Sequence, residues 1–234
     1  MTFGKTGSHV SMIVSFVVFV TFIVFLFFIL QPALNVGNEK DALLDSIEAS
    51  LLDYLSSEIN IISTSTTLES SCVQLNGLAS ASGVVDTGNY LIVKNENGNV
   101  LNYDWESGNL KIQNNEGSNF FKIYESSAID SSETSIGGCT PSQYNLGLIR
   151  TEEKIFEENI VNAISLYKSN YEQLKQNIEL GTGDFGFDFV YDNGTIITSG
   201  ETSQMTGVFT KQSSFVYLDT NLNRRHGNMV IKTW

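Results

Sequence analysis

The chain predicts an α+β fold: an N-terminal transmembrane helix, an amphipathic helix, and an antiparallel β-sheet head with one long packed helix. Three observations carry this prediction. Residues 12–30 read MIVSFVVFVTFIVFLFFIL, with no charge and nothing more polar than Ser15 and Thr21. Two later segments repeat apolar residues at three- and four-residue steps, the period of a helix with one buried face. Elsewhere, short segments rich in Val, Ile, Phe and Tyr are punctuated by Asn-Gly and Ser-Gly, the pattern of strands joined by tight turns.

The apolar run, at a rise of ~1.5 Å per residue, covers ~28 Å, about the hydrocarbon thickness of a bilayer. It ends in Phe-Phe-Ile-Leu-Gln-Pro with no Ala-x-Ala pattern, so it reads as a retained anchor and not as a removed signal peptide. Residues 1–11 carry Lys5 and no acid, which places this short leader in the cytoplasm and the rest outside. The organisation that follows is a leader over 1–11, a transmembrane helix over 12–30, a linker over 31–38 and an extracytoplasmic head over 39–234. The formal charge of −13 divides into +1 before the span and −14 after it. A head this acidic repels nucleic-acid phosphates and anionic lipid heads, so membrane lipid around the helix is an expected partner and nucleic acid is not.

Pro32 and Gly37 break the chain at the membrane surface, and Asn38 caps the next helix with Glu39 and Asp41 at its positive end. Leu43, Leu44, Ile47, Leu51, Leu55, Ile59 and Ile62 then mark one apolar face. That face suits core packing against the head, with neighbouring subunits as its other use. Residues 64–88 predict a loop or weak strands around Cys72. Tyr90–Lys94, Val100–Trp105 and Leu110–Gln113 read as a three-strand meander, and Phe120–Tyr124 as a further strand. Thr151 opens the long helix, with Glu152 and Glu153 at its start, a face from Phe156 to Ile178, and Gly181 at its end. Phe185, Phe187, Phe189 and Tyr191 alternate with smaller residues as a strand with an aromatic inner face, which Asn193-Gly194 turns into 195–198. Val208–Leu218 and Met229–Trp234 form a final antiparallel pair around a loop over 219–228.

Cys72 and Cys139 both lie in the head, and an even count there favours a disulfide over two buried thiols. Closing a loop of this length stabilises a fold by ~4 kcal/mol in the chain-entropy account. Asn193-Gly194-Thr195 is a glycosylation sequon, although the hairpin turn alone explains it.

Catalytic patterns are missing. The two histidines are His9, before the span, and His226, in the loop Arg224-Arg225-His226-Gly227. There is no Gly-x-Ser-x-Gly elbow, no phosphate-cradling Gly-x-x-x-x-Gly-Lys and no His-Glu-x-x-His. Asp219-Thr-Asn221-Leu-Asn223 has the spacing that begins a calcium loop, but Arg224 stands where the turn needs glycine and Val230 where an acid is needed, so it reads as a polar turn. No enzyme activity, metal or cofactor is expected. Arg224 and Arg225, paired basics on an acidic head, suit an acidic patch on a neighbouring subunit.

Lys5-Thr6-Gly7 followed by Ser8 places a basic residue and then a glycine just upstream of the apolar run. This resembles the short leader of type IV pilin-like proteins, above all the archaeal class III signal, in which a peptidase cuts after a glycine and leaves the apolar helix attached. The resemblance implies Lys5 as the basic leader residue, Gly7 as the residue before the cut and Ser8 as the new N-terminus. The layout of apolar helix, amphipathic helix and β-rich head is similar to that of the same proteins. It implies a structural, non-enzymatic subunit that assembles with others of its kind. The alternative is a membrane-tethered binding or sensing module that does not polymerise.

Overall fold

The computed structural model describes residues 7–67, 70–83, 91–130, 133–181, 183–200 and 207–234, and the side chains of 7–10 and 31–39 lie outside that description. The order of elements is α1 (Gly7–Leu55), β1 (Ser56–Thr66), β2 (Cys72–Leu75), α2 (Leu78–Ser82), β3 (Leu91–Asn95), β4 (Val100–Leu101), β5 (Tyr103–Glu106), β6 (Asn109–Gln113) and β7 (Phe120–Glu125). It continues with β8 (Thr140–Ser142), β9 (Tyr144–Phe156), α3 (Glu157–Ser169), α4 (Tyr171–Asn177), β10 (Phe185–Tyr191), β11 (Ile196–Thr198), β12 (Phe209–Leu218) and β13 (Arg224–Thr233). The chain is thus a mixed α+β protein with an apolar helix at its N-terminal side.

Nine strands form one sheet in the order β11-β10-β13-β12-β9-β1-β7-β3-β4, and four form a second in the order β5-β6-β2-β8. Pairing is antiparallel except for β9 with β12 and β2 with β8. Helices α1, α3 and α4 cover the β10-β13-β12 half of the large sheet. There Leu44, Ile47, Leu51 and Leu55 of α1 meet Ile160 and Ile164 of α3, Leu174 of α4, and Phe185, Phe187, Phe189, Met229 and Ile231 of the sheet. The small sheet covers the other half, packing Val73, Leu75, Leu110 and Ile112 on Ile62, Leu91, Val93, Phe121 and Ile123. A third cluster lies on the opposite face, where Ile59, Ile61 and Ile92 meet Ile129, Phe156, Leu218 and Leu222.

Four sequence expectations are corrected here. The linker over 31–38 is not a break, because α1 runs as one helix of 49 residues from Gly7 to Leu55. A proline inside a helix withdraws one amide donor, and helical turns on both sides can hold the path around it. The amphipathic helix ends at Leu55, and Ile59 and Ile62 belong to β1. Ser56–Thr66 is dense in β-branched Ile and Thr, which favour an extended backbone, and β1 lies between β7 and β9. The long helix does not open at Thr151. Residues 151–156 extend β9, where Glu152 bonds Arg150 at 2.9 Å and Lys154 at 2.8 Å across alternate positions of one strand face. The acidic first turn belongs instead to Glu157 and Glu158 of α3, and Asn170 divides α3 from α4 by capping the latter through Gln173 N at 3.2 Å. Finally, the meander is split. β4 pairs with β3 in the large sheet while β5 pairs with β6 in the small one, so the chain changes sheets at Asn102. Tyr90 lies outside the described residues.

The aromatic strand and the last hairpin follow their pattern. Phe185, Phe187 and Phe189 are buried, Tyr167 stands edge-on to the first two, and Phe189 packs edge-on against Tyr217. Gly227 lies under Phe189 so closely that a Cβ there would stand 2.5 Å from the ring. The tyrosine hydroxyls bond to protein: Tyr167 donates to the Phe185 carbonyl at 2.8 Å, and Tyr171 accepts from the Phe185 amide at 3.0 Å. Burial pushes both phenols above their usual titration range.

Candidate functional site

Two features of the molecule lie outside ordinary core packing. The first is the N-terminal half of α1. Ser11–Leu30 is a stretch of 20 residues with none of its surface buried by the head, and it is the one helix among the described residues long and apolar enough to cross a membrane. Phe, Val, Ile and Leu stand exposed around its whole circumference. A helix apolar on every side is stable only in lipid or among other apolar helices. The C-terminal half of the same helix sits in the head core, and Lys211 of β12 ties it down through Asp45 and through Glu48 at 2.6 Å. Those two carboxylates hold the Lys211 ammonium, pushing its pKa up to about 12.

The second feature is the hairpin loop between β12 and β13. Asp219 organises it. Its Oδ1 accepts from the amides of Asn221 at 3.0 Å and Asn223 at 2.8 Å, and its Oδ2 accepts from Asn223 Nδ2 at 3.2 Å and Arg225 Nε at 3.1 Å. Burial opposes ionisation of Asp219. The Asn223 amide, Arg225 and the remaining donors outweigh it and hold the carboxyl below its usual range. Leu222 adopts φ +55°, a left-handed conformation costly for a branched side chain, and is held there by burial against Ile59, Ile61 and Ile92. The carboxylate that would open a calcium loop is therefore consumed by its own loop. Among the described residues no group of three His, Cys, Asp or Glu could hold a metal ion.

Sequence reasoning missed one residue here, Lys94 of β3. It is 6% exposed, and its ammonium donates to the Leu222 carbonyl at 3.3 Å and to Asn223 Oδ1 at 3.1 Å, 6.0 Å from the centre of the Tyr124 ring. Burial lowers its pKa, opposed by the charge of Asp219. The one signal in the sequence is a lysine closing the apolar strand Leu-Ile-Val-Lys.

The other sequence-predicted residues are dispersed. Gly7 and Ser8 begin α1, and Lys5 lies outside the described residues. Cys72 and Cys139 are joined by a disulfide with Cα atoms 4.7 Å apart, tying the polar stretch before β8 to β2. Asn193 sits exposed in the β10–β11 turn, where its Oδ1 accepts from Thr195 N at 2.9 Å and Gly194 has φ +82°. Arg224, Arg225 and His226 are not in a loop, because the hairpin closes over 219–223 and β13 begins at Arg224. The Asx turn at Asp219 needs only five residues, which leaves the basic pair on the strand. Arg225 is engaged within the chain by Asp219 and, at 3.9 Å, by Asp192, whereas Arg224 is exposed.

No protein-family model, no curated protein and no solved structure matches the chain.

Proposed function

We propose that this chain is a single-pass membrane protein, N-terminus inside and head outside, that serves as a pilin-like or minor-pilin structural subunit. The observation that carries the reading is the continuity of α1. One helix of about 74 Å, at ~1.5 Å per residue, joins a fully exposed apolar half to a half that is part of the head core. Such a helix transmits position rigidly between the two environments. Withdrawn from lipid, its apolar half requires a sheath of other apolar helices, which copies of the same chain or similar pilin-like subunits supply. The Lys5-Gly7-Ser8 leader, upstream of the span, supports processing by a prepilin-type peptidase before assembly. The head needs no catalytic group, metal or cofactor for this role, and its acidity keeps it soluble. The exposed Arg224 is the basic residue offered to an acidic neighbour, with Arg225 already holding its own loop.

The deciding experiment is terminal peptide mapping of the native protein extracted from membranes. A start at Ser8 is expected. A chain still beginning at Met1 or Thr2 overturns the processed-subunit reading and leaves a permanently tethered binding or sensing domain.

A further inference from the structure

Where β1 and β9 run side by side, the large sheet shows solvent two unlike faces. On the back, turned away from the helices, Arg150 at 2.9 Å and Lys154 at 2.8 Å bond the Glu152 carboxylate, and the charge of Arg224 on β13 bears on the same group. Strand register puts these side chains with Ile59 and Ile61, on the side of the third apolar cluster. Three cationic groups thus share one carboxylate. Lys122 of β7 stands exposed on the same face. β9 and β12 pair only through Ile155 with Tyr217 and Phe156 with Leu218, and the cleft at that junction is lined by Lys154, Val216 and Arg224 among others. Val216 is 46% exposed, an apolar spot among the cations. This basic surface belongs to a part of the chain whose formal charge is −14.

The front of the same two strands is acidic. Glu58 of β1 and Glu153 of β9 are direct cross-strand partners, both exposed, on the side where the helices and the small sheet pack. Like charges set opposite each other cost a sheet stability. Asp53 in the last turn of α1 and Glu158 in the first turn of α3, both exposed, carry the acidic surface onto the helices.

We propose that the head docks front to back on a second copy of the chain, the Arg150, Lys154 and Arg224 face of one copy seating on the Glu58 and Glu153 face of the next. The occupant is a second copy because the chain itself carries the complementary charge on the reverse of the same strands. Each side gains: the surplus cations find carboxylates, and the opposed carboxylates of Glu58 and Glu153 find cations. Complementary charge of this kind selects the partner and fixes its orientation, while Val216 supplies apolar contact at the centre. The contact is heterologous. Every copy spends one face on each neighbour and leaves the other free, so the association extends into a row or closes as a ring. This contact deepens the subunit reading and rests on it, since anchors held side by side bring the heads together.

The test mixes isotope-labelled and unlabelled full-length chains in neutral phosphatidylcholine vesicles. A carbodiimide then joins carboxylates to neighbouring amines with loss of water. The expected products are mixed-label peptides linking Lys154 or Lys122 of one copy to Glu58 or Glu153 of another. The double variant Arg150→Glu, Arg224→Glu lowers their yield about tenfold or more, and Glu58→Lys, Glu153→Lys does the same. Neither variant associates with itself, yet a mixture of the two recovers the mixed-label products, because each supplies the charge the other has lost. Urea unfolding checks that both fold, and the single change Arg224→Glu at an exposed side chain reads the loss where a double variant does not. Absence of mixed-label products, products that join other surfaces only, or a mixture that fails to recover overturns the proposal. A native chain that begins at Met1 and still gives these products overturns the processed-subunit reading and leaves the head contact standing; a Ser8 start without them does the reverse.

Discussion

Truncating Leu51 to alanine tests whether the second half of α1 belongs to the head. Leu51 is fully buried, and it packs in the cluster that also holds Ile160 and Ile164 of α3 and Phe185, Phe187 and Met229 of the sheet. Removing its isobutyl group forfeits the transfer free energy of the lost carbons and leaves a void bounded by helix and sheet. At so rigid a site the cost is about 3 kcal/mol, within the usual 2–5 for such a change. The urea slope of a head this size is about 2 kcal/mol per molar, so the unfolding midpoint falls by about 1.5 M. The assay is urea unfolding of the full chain in a mild non-ionic detergent, read by tryptophan fluorescence. Trp105 reports on the small sheet and Trp234 on the end of β13, where its ring approaches Gly186. Leu26→Ala in the exposed apolar half is the matched control and leaves the head's midpoint unchanged, because no head residue covers that stretch. Equal midpoints for wild type and Leu51→Ala refute the reasoning, since they would mean that the head core closes without α1.

Two further predictions test the last hairpin. Gly227→Ala forces a Cβ to within 2.5 Å of Phe189 and 3.3 Å of Tyr217, so the variant loses about 1–3 kcal/mol in the same urea assay; Phe189→Leu in the same chain recovers part of that loss by vacating the ring. Asp219 gives the hairpin a defined acid sensitivity. Its folded-state pKa lies below that of the unfolded chain, about 3.9. Its contribution is therefore fully present above that value and is lost as pH falls through the folded-state pKa. Asp219→Asn lowers the midpoint at pH 7 and flattens its fall below pH 4. A variant as acid-sensitive as wild type assigns the sensitivity to other carboxylates.

Residues 12–30 declare an apolar helix because no alternative structure hides that much hydrocarbon, and Phe185, Phe187 and Phe189 declare a strand because strict alternation fits only period 2. The cysteine pair and the Asn193-Gly194 turn were equally legible, being chemistry that acts over a few atoms. Where local signals were ambiguous, long-range partners decided. Ile59 and Ile62 fit a helical step from Leu55 and also fit a strand, and the neighbours β7 and β9 made them β1. Glu152 and Glu153 are as apt at a helix start as on a strand, and pairing with β1 drew them into β9. Val100–Trp105 divided because its two ends found partners in different sheets.

The sequence by itself determined the apolar helix, the acidity of the head and the Asn193-Gly194 turn, since each rests on composition or on contacts within a few residues. Only the structure decided that the apolar segment and the amphipathic segment are one helix, Gly7–Leu55, because a proline withdraws a single amide donor and the helical bonds of the turns around it can carry the path through. It alone also brought Lys94 to Asn223 and Asp219. A meeting between residues 129 apart depends on the order of strands in a sheet, which no local pattern of side chains encodes.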